Sequence, residues 1–551
     1  MPLGFRLIFP ASLLAIAFSP ACQTPPAPAK VDIAIPPLEE WQELRQNPAP
    51  DWNALLVEME RYQQEYQAQT AYWALFGECS LAMAAQELAA GRTQGLEVLY
   101  ADAMHAYQTA AQLEPTNPHH WWLIAYTARQ MGNSPTAWEA AQRAQPLLMP
   151  DTPWAGRIRE EIGRAGLAMV MAAVQAGQAL PAAGRQAEFI LREGPGETTP
   201  QSHIVLSDLL AWQGRRKEAV EPLAQALIQN PQNGEARGRL ENLASGSQTA
   251  LVWDRVRTLH PQDPTVLWYL GSALWERQIE ARQLKDFLTA EESLDRAEEC
   301  FLSSMALNES YRETCLQWLH VVRTGRGWSR WEEGQVADAA EAFLLALEAD
   351  ATRVEKEPTA RTLSLGIYSV VGNAFQENRL KDAHAMLVRI FAVHKDNPDW
   401  TNNLGFASRD LGVSALENSQ TEKSAEFFQT SWQAYSRTVE LSPDDVRLVN
   451  DRALIAVYYL NEHHELAEKE LHRAIQMGDQ QLAEQSDTMS HQEKQNLDEA
   501  IGDAWENLAY LDVMRRQRMD RAETFLQKSA SHYPFERRSG VLRIRQAMSR
   551  P

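Results

Sequence analysis

The chain has 551 residues, 44% of them apolar, with 28 prolines and 27 glycines; this excludes a disordered or collagen-like polypeptide and supplies ample material for a buried core. A formal charge of −21 repels phosphate backbones and anionic lipid headgroups, and no run of five or more Lys/Arg offsets it. Nucleic acid is therefore not an expected partner.

The N-terminal stretch MPLGFRLIFPASLLAIAFSPAC carries one cation, Arg6, then an apolar run from Leu7 to Phe18 and small residues before Cys22. Roughly 12 apolar residues are too few to span a bilayer as a mature helix, so residues 1–21 read as a secretory signal peptide. No later segment is apolar enough to span. Ser19-Pro20-Ala21-Cys22 resembles the bacterial lipoprotein box, which implies lipidation of Cys22; Ser19 stands where that family prefers leucine and Pro20 is unusual there, which leaves ordinary export open. Gln23 beside the cysteine implies sorting to the outer membrane. Residues 22–38 read as a Pro/Ala-rich tether. The expected location is a periplasmic lipoprotein held to the outer membrane by its lipid alone, otherwise a soluble periplasmic or secreted protein.

Three further cysteines, Cys79, Cys300 and Cys315, are too few for a disulfide framework. Cys300 and Cys315 fall on successive expected helices, and both pairing and burial as thiols are open readings.

The rest of the chain reads as helix in a recurring frame. Ala103, Tyr107, Ala110 and Pro115 follow the order small, bulky, small, helix-ending proline. The frame returns at Ala137, Ala141, Ala144, at Ala219, Leu223, Ala226, Pro231, and more loosely at Ala297, Phe301, Ser304, at Ala339, Phe343, Ala346, at Ala383, Leu387, Ile390, at Ala467, Leu471, Ala474 and at Ala522, Leu526, Ser529, Pro534. Spacings of four and three hold these residues on one helical face, and the small ones let a neighbour approach closely. A preceding helix opens four times on a capping residue and proline: Asn117-Pro118, Thr199-Pro200, Asp263-Pro264 and Asn397-Pro398. It then carries a bulky residue followed by a small one, as in Phe76-Gly77, Ile124-Ala125, Leu206-Ser207, Leu270-Gly271 and Leu404-Gly405.

Together these features resemble the tetratricopeptide repeat, a helix-turn-helix unit of about 34 residues. About nine units can be traced between residues 70 and 534, with the frame lost near 155–195. The resemblance implies an all-α fold, an α-solenoid wound as a right-handed superhelix with one concave face for a ligand. Expected divisions are 39–245, 246–395 and 396–551, three stretches of one array; residues 398–534 also resemble repeat-containing lipoproteins of the bacterial cell envelope. The small residues of the two helices are 12 apart at Ala125/Ala137 and Ser207/Ala219, but 26 apart at Gly77/Ala103, Gly271/Ala297 and Gly405/Ser431, an excess of 14. Seven extra residues per helix are about two turns, which nearly preserves the buried face, so three lengthened hairpins are expected.

The stretch NPHHWW is then the start of a first helix. Trp121 is expected as an inward anchor, like Trp73 and Trp505, whereas His119, Trp122, Tyr126 and Arg129 lie on the other face, which in this repeat family lines the groove. Trp268, Trp275, Phe406 and Arg409 take the same phase, with inter-repeat packing the blander reading for each tryptophan. Adjacent His119 and His120 point about 100° apart and do not chelate one ion from a regular helix. His464, Glu468 and His472 form an i, i+4, i+8 stripe, ordinarily a solvated face. There is no GxxxxGK[ST], GxGxxG after a strand, GxSxG, CxxC or HExxH. The expected function is a non-catalytic scaffold that binds a partner polypeptide, with no cofactor and no metal; the alternative is a carbohydrate- or peptidoglycan-binding envelope protein whose groove aromatics stack sugars.

Overall fold

The computed structural model describes residues 38–46, 50–149, 151–354, 362–460, 462–485, 488–515, 518–532 and 539–549. Cys22, the signal segment, the tether up to residue 37 and Pro534 lie outside the described residues. All regular structure in the described residues is helical, and no described helix is long and apolar enough to cross a membrane. The chain falls into two compact units, one ending at Glu197 and the other beginning at Thr198.

The first unit holds α1 (Leu38–Arg45), α2 (Trp52–Arg61), α3 (Gln63–Tyr66), α4 (Thr70–Ala89), α5 (Leu96–Leu113), α6 (Pro118–Gln130), α7 (Ser134–Ala144), α8 (Ala155–Gln175) and α9 (Ala182–Glu193). Its N-terminal core is aromatic: Trp41 is fully buried against Tyr66 and Tyr72, and the Tyr72 hydroxyl donates to Met59 O at 2.9 Å, which satisfies the polar end of that ring. Trp73 is buried there, as an anchor should be. The stretch near 155–195, where the sequence frame is lost, is the hairpin of α8 and α9. Arg159 of α8 is buried and donates to the carbonyls of Leu191, Gly194 and Gly196, capping the end of α9.

The second unit holds α10 (Pro200–Trp212), α11 (Arg216–Gln229), α12 (Gly234–Leu243), α13 (Gly246–Leu259), α14 (Pro264–Gln283), α15 (Phe287–Leu307), α16 (Arg312–Glu332), α17 (Val336–Ala349), α18 (Leu363–Gln376), α19 (Leu380–Val393), α20 (Pro398–Glu417), α21 (Thr421–Leu441), α22 (Val446–Tyr458), α23 (His464–Gln485), α24 (His491–Tyr510), α25 (Met519–His532) and α26 (Ser539–Met548). A π-helical turn, Leu511–Arg515, follows α24. Cys300 and Cys315 are buried as free thiols, as is Cys79 in the first unit, and burial pushes the Cys300 thiol up to about 11. The two cysteines do not pair.

The hairpins are held by rings seated on glycines. A Cβ on Gly77 would stand 2.6 Å from the Tyr107 ring, one on Gly271 2.8 Å from Phe301, and one on Gly405 2.8 Å from Tyr435, which is why the first helix carries its smallest residue there. The three hairpins expected to be long are long: α4 and α5 have 20 and 18 residues, α14 and α15 have 20 and 21, and α20 and α21 have 20 and 21, against 13 and 11 for α6 and α7. The sequence frame did not reveal that α8 and α16, at 21 residues each, are lengthened in one arm only.

Among the described residues, eight of the hairpin turns share one geometry. The residue after the first helix's last turn is left-handed, and the next N–H bonds back to a carbonyl five residues earlier, satisfying an orphan helix-end acceptor. Examples are Asn133 N to Ala128 O at 2.8 Å behind Gly132 (φ 74°), Asp286 N to Ala281 O at 2.8 Å behind Lys285 (φ 60°) and Gln420 N to Ala415 O at 2.8 Å behind Ser419 (φ 62°). Arg92, Gln178, Arg215, Gln335 and Arg379 close the other five in the same way.

Candidate functional site

The face that the helical phase assigned to the groove must be taken unit by unit. In the first unit, Asn117 caps α6 by accepting from His119 N at 3.0 Å, with Pro118 in the first turn. This fixes where the next residues point. His120 is buried with Nε2 within 3.4 Å of Glu114 Oε2, while His119 is half-buried with its ring centroid 5.0 Å from that of Trp122. Burial first, and the neighbouring His120 second, hold the His119 imidazole below its ordinary range. The two histidines thus have separate surroundings.

Tyr126 and Arg129 follow on the same face, 5.5 Å apart from guanidinium to ring centroid. Arg129 is not free for a guest: Nε and Nη2 donate to the two carboxylate oxygens of Glu161 on α8 at 2.6 and 3.2 Å. Glu161 is buried, and burial pushes its carboxyl up while Arg129 pulls it down. The pair braces α6 against α8, a role the helical phase of α6 alone does not show.

Trp121 departs from the inward anchor expected of it. It is half-buried, with Nε1 donating to Pro115 O at 2.9 Å and Arg143 over its ring at 4.8 Å, in a cleft of about 330 Å³ that Gln108, Thr136 and Glu139 also line. The indole N–H needs an acceptor, and the one within reach lies in the loop before α6, so the ring lies along the edge of the hairpin while Ile124 and Ala128 fill the interior. Trp505 is likewise half-buried, between Phe525 at 5.3 Å and the Lys528 ammonium at 4.2 Å.

In the second unit Trp268 and Trp275 pack against neighbouring helices. Trp268 meets Tyr269 edge-on at 4.7 Å and Trp318 of α16 at 6.3 Å, and its Nε1 is buried. Trp275 lies against Gly325 of α16, where an added Cβ would come within 2.8 Å of the indole. Phe406 is different: it is 38% exposed, lies 6.0 Å from Phe375 of α18, and carries the Arg409 guanidinium 4.9 Å over its ring. Arg409 Nε donates to Asp410 Oδ1 at 2.9 Å.

Two pairs of neighbouring first helices in this unit, α18 with α20 and α22 with α24, are joined by side-chain contacts. Tyr368 of α18 donates to Asp399 of α20 at 3.0 Å, Phe375 meets Phe406, Asn507 of α24 donates to Asn450 of α22 at 2.9 Å, and Tyr458 stacks on Tyr510 at 4.0 Å. The stripe His464, Glu468, His472 does not converge: Glu468 meets Arg521, and His472 lies edge-on to Trp505 and Phe525. Among the described residues no group of His, Cys, Asp and Glu is placed to hold a metal ion.

No protein-family model matches the chain, and no curated protein does. Solved structures similar to it include the Cut9–Hcn1 hetero-tetramer of APC/C (14% identity, 93% of this chain and 96% of that one, TM-score 0.21), yeast Tom70 (13%, 92% and 94%, 0.21) and the P58(IPK) TPR domain (14%, 78% and 98%, 0.18). At these TM-scores the architecture rests on the chain's own contacts. By those contacts it is an all-α array of tetratricopeptide-like helix hairpins.

Proposed function

We propose that the chain is a non-catalytic scaffold of the bacterial cell envelope, exported, lipidated at Cys22, and binding an extended segment of a partner protein along the faces of its first helices. The observation that carries the binding is that neighbouring first helices are joined, α18 to α20 and α22 to α24, while Phe406 on α20 stays 38% exposed with the Arg409 guanidinium over its ring. Aromatic and Arg side chains on such a face are what binding surfaces concentrate their energy in. Each hairpin contacts mainly its neighbours, so this face is not consumed by long-range packing. The export and anchor are supported by the signal-like first 21 residues and the box ending at Cys22.

The test is cross-linking and capture of envelope proteins with the tagged mature chain, against a Phe406→Ala variant and a Trp122→Ala, Tyr126→Ala double variant. Loss of one or a few captured proteins with unchanged helical circular dichroism supports the scaffold. Retention of the purified chain on isolated cell wall, without added protein, would instead support the sugar-binding alternative. Metabolic labelling with a clickable fatty acid, with and without Cys22→Ala, decides the anchor.

A further inference from the structure

We propose that His119 and His120, side by side in the first turn of α6, form an acid-sensitive catch: neutral, they keep that turn closed, and protonated, they open it and release Trp122 from its packing. The device needs no guest in the groove and is independent of the binding proposed above. It gives the NPHHWW stretch a role beyond starting a helix.

Three features of the turn oppose charge on the pair. An imidazolium carries an N–H on both ring nitrogens, and the Nδ1 atoms of His119 and His120 are both buried without a hydrogen-bond partner among the described residues. A proton there leaves a buried donor unsatisfied. The two ring centroids are 6.2 Å apart, so two imidazolium ions would repel each other across a short, partly buried gap. Pro118, His119 and His120 are also the first three residues of α6, where free backbone N–H groups and the helix dipole favour anions over cations.

One group favours charge, and it serves His120. Glu114, just after α5, has Oε2 3.4 Å from His120 Nε2 and accepts from Asn117 Nδ2 at 3.3 Å. Asn117 Nδ2 is also 3.2 Å from His120 Nε2, and Asn117 Oδ1 accepts from His119 N, so the helix cap and the catch share a residue. The charged groups that the packed helices bring to α6 are engaged elsewhere. His105 of α5 lies edge-on to Trp73, Arg143 of α7 is bonded to Glu139 and lies over Trp121, and on α8 Arg157 lies over Trp154 while Glu161 holds Arg129. His119 therefore has only the Trp122 ring, 5.0 Å away, and its fellow histidine. Burial is the largest cause holding both imidazoles below their ordinary range; His120 adds to it for His119, and Glu114 works against it for His120.

Once the turn is open, a histidine takes up its proton at the ordinary imidazole value of about 6.5, whereas in the closed turn it does so only at lower pH. Closure is fully favoured above about pH 6.5, and opening grows as the pH falls through that value, by about tenfold for one histidine one pH unit lower.

The experiment is hydrogen exchange by mass spectrometry on the mature chain at about pH 7.5 and about pH 5.5, each rate divided by that of an unstructured peptide at the same pH. Protection of residues 118–126 is expected to fall about tenfold, while residues 264–272, where α14 opens on a capping residue and proline without a histidine, keep theirs. His119→Gln should remove most of the fall, the double variant His119→Gln, His120→Gln all of it, and Glu114→Gln, which takes away the pair's anion, should deepen it. Circular dichroism checks the fold of each variant, and Glu114→Gln keeps both imidazoles in place, so it tests the charge even where a histidine variant loses the fold. A fall of less than about threefold in the parent chain, a fall that survives in the double variant, or no deepening in Glu114→Gln would overturn the proposal. So would a fall centred on residues 127–131, where protonation of Glu161 frees Arg129.

Discussion

The hairpins α14–α15 and α20–α21 are lengthened by the same amount and hold their extra turns differently. In α20–α21 the seam is copied. Gly405 seats Tyr435 and Ser431 Oγ donates to Gly405 O at 2.7 Å; seven residues further on, Gly412 seats Phe428 and Ser424 Oγ donates to Gly412 O at 2.8 Å. In α14–α15 the first seam, Gly271 with Phe301, has no such copy. Seven residues along lie Gln278, buried in α14, and Leu294 with Ala290, buried in α15. The outer half is instead laced to the long arm of α16 by Arg323 with Glu298 at 2.7 Å, Arg326 with Asp295 at 2.8 Å and Arg330 with Glu291 at 2.9 Å. Its tip shows Leu284, Phe287 and Leu288 to solvent at 81%, 54% and 86% exposure. A helical insert of seven residues keeps the buried face in phase, and what then fills that face is free to differ.

Phe428→Ala should break the copied seam at the largest cost, about 3–5 kcal/mol, because it empties a buried ring site that also stacks on Tyr459 at 4.2 Å. Urea unfolding measures the loss, and hydrogen exchange should show it concentrated in the outer turns of α20 and α21. Gly412→Ala is next, at about 1–3 kcal/mol, since its Cβ would stand 2.6 Å from the Phe428 ring; a cost near zero would mean that the ring is not seated there.

The ion ladder of α15 and α16 should be weaker and salt-sensitive. A double-mutant cycle on Arg326 and Glu298 is expected to give a coupling of about 1–2 kcal/mol that shrinks as sodium chloride is added, whereas the Phe428 effect should not respond to salt. The smallest effects belong to the turns. Ser419→Gly and Lys285→Gly should each stabilise by up to about 1 kcal/mol in thermal unfolding, because both residues sit in left-handed backbone that glycine adopts without a Cβ clash.

The hairpins were legible because they depend on short-range periodicity: small and bulky residues at spacings of three and four, prolines in first turns, and an excess of 14 residues that keeps the helical phase. The one-armed lengthening of α16 was not legible, because nothing in its own spacing says that three arginines face the carboxylates of α15. The groove was legible only in part. Phe406 and Arg409 lie together as their phase suggests, but Arg129 is taken by Glu161, 32 residues away in the chain, and Trp268 and Trp275 are taken by α16.

By itself, the order of residues determined that most of the chain pairs into helix hairpins and that three of them are long in both arms, since a helix of fixed period presents the same face wherever it is placed. Tertiary structure alone decided what the opposite face is left to do. Whether a side chain there is spent on a neighbour, like Arg129, or left exposed, like Phe406, depends on the charge and shape of a helix that arrives from elsewhere in the chain.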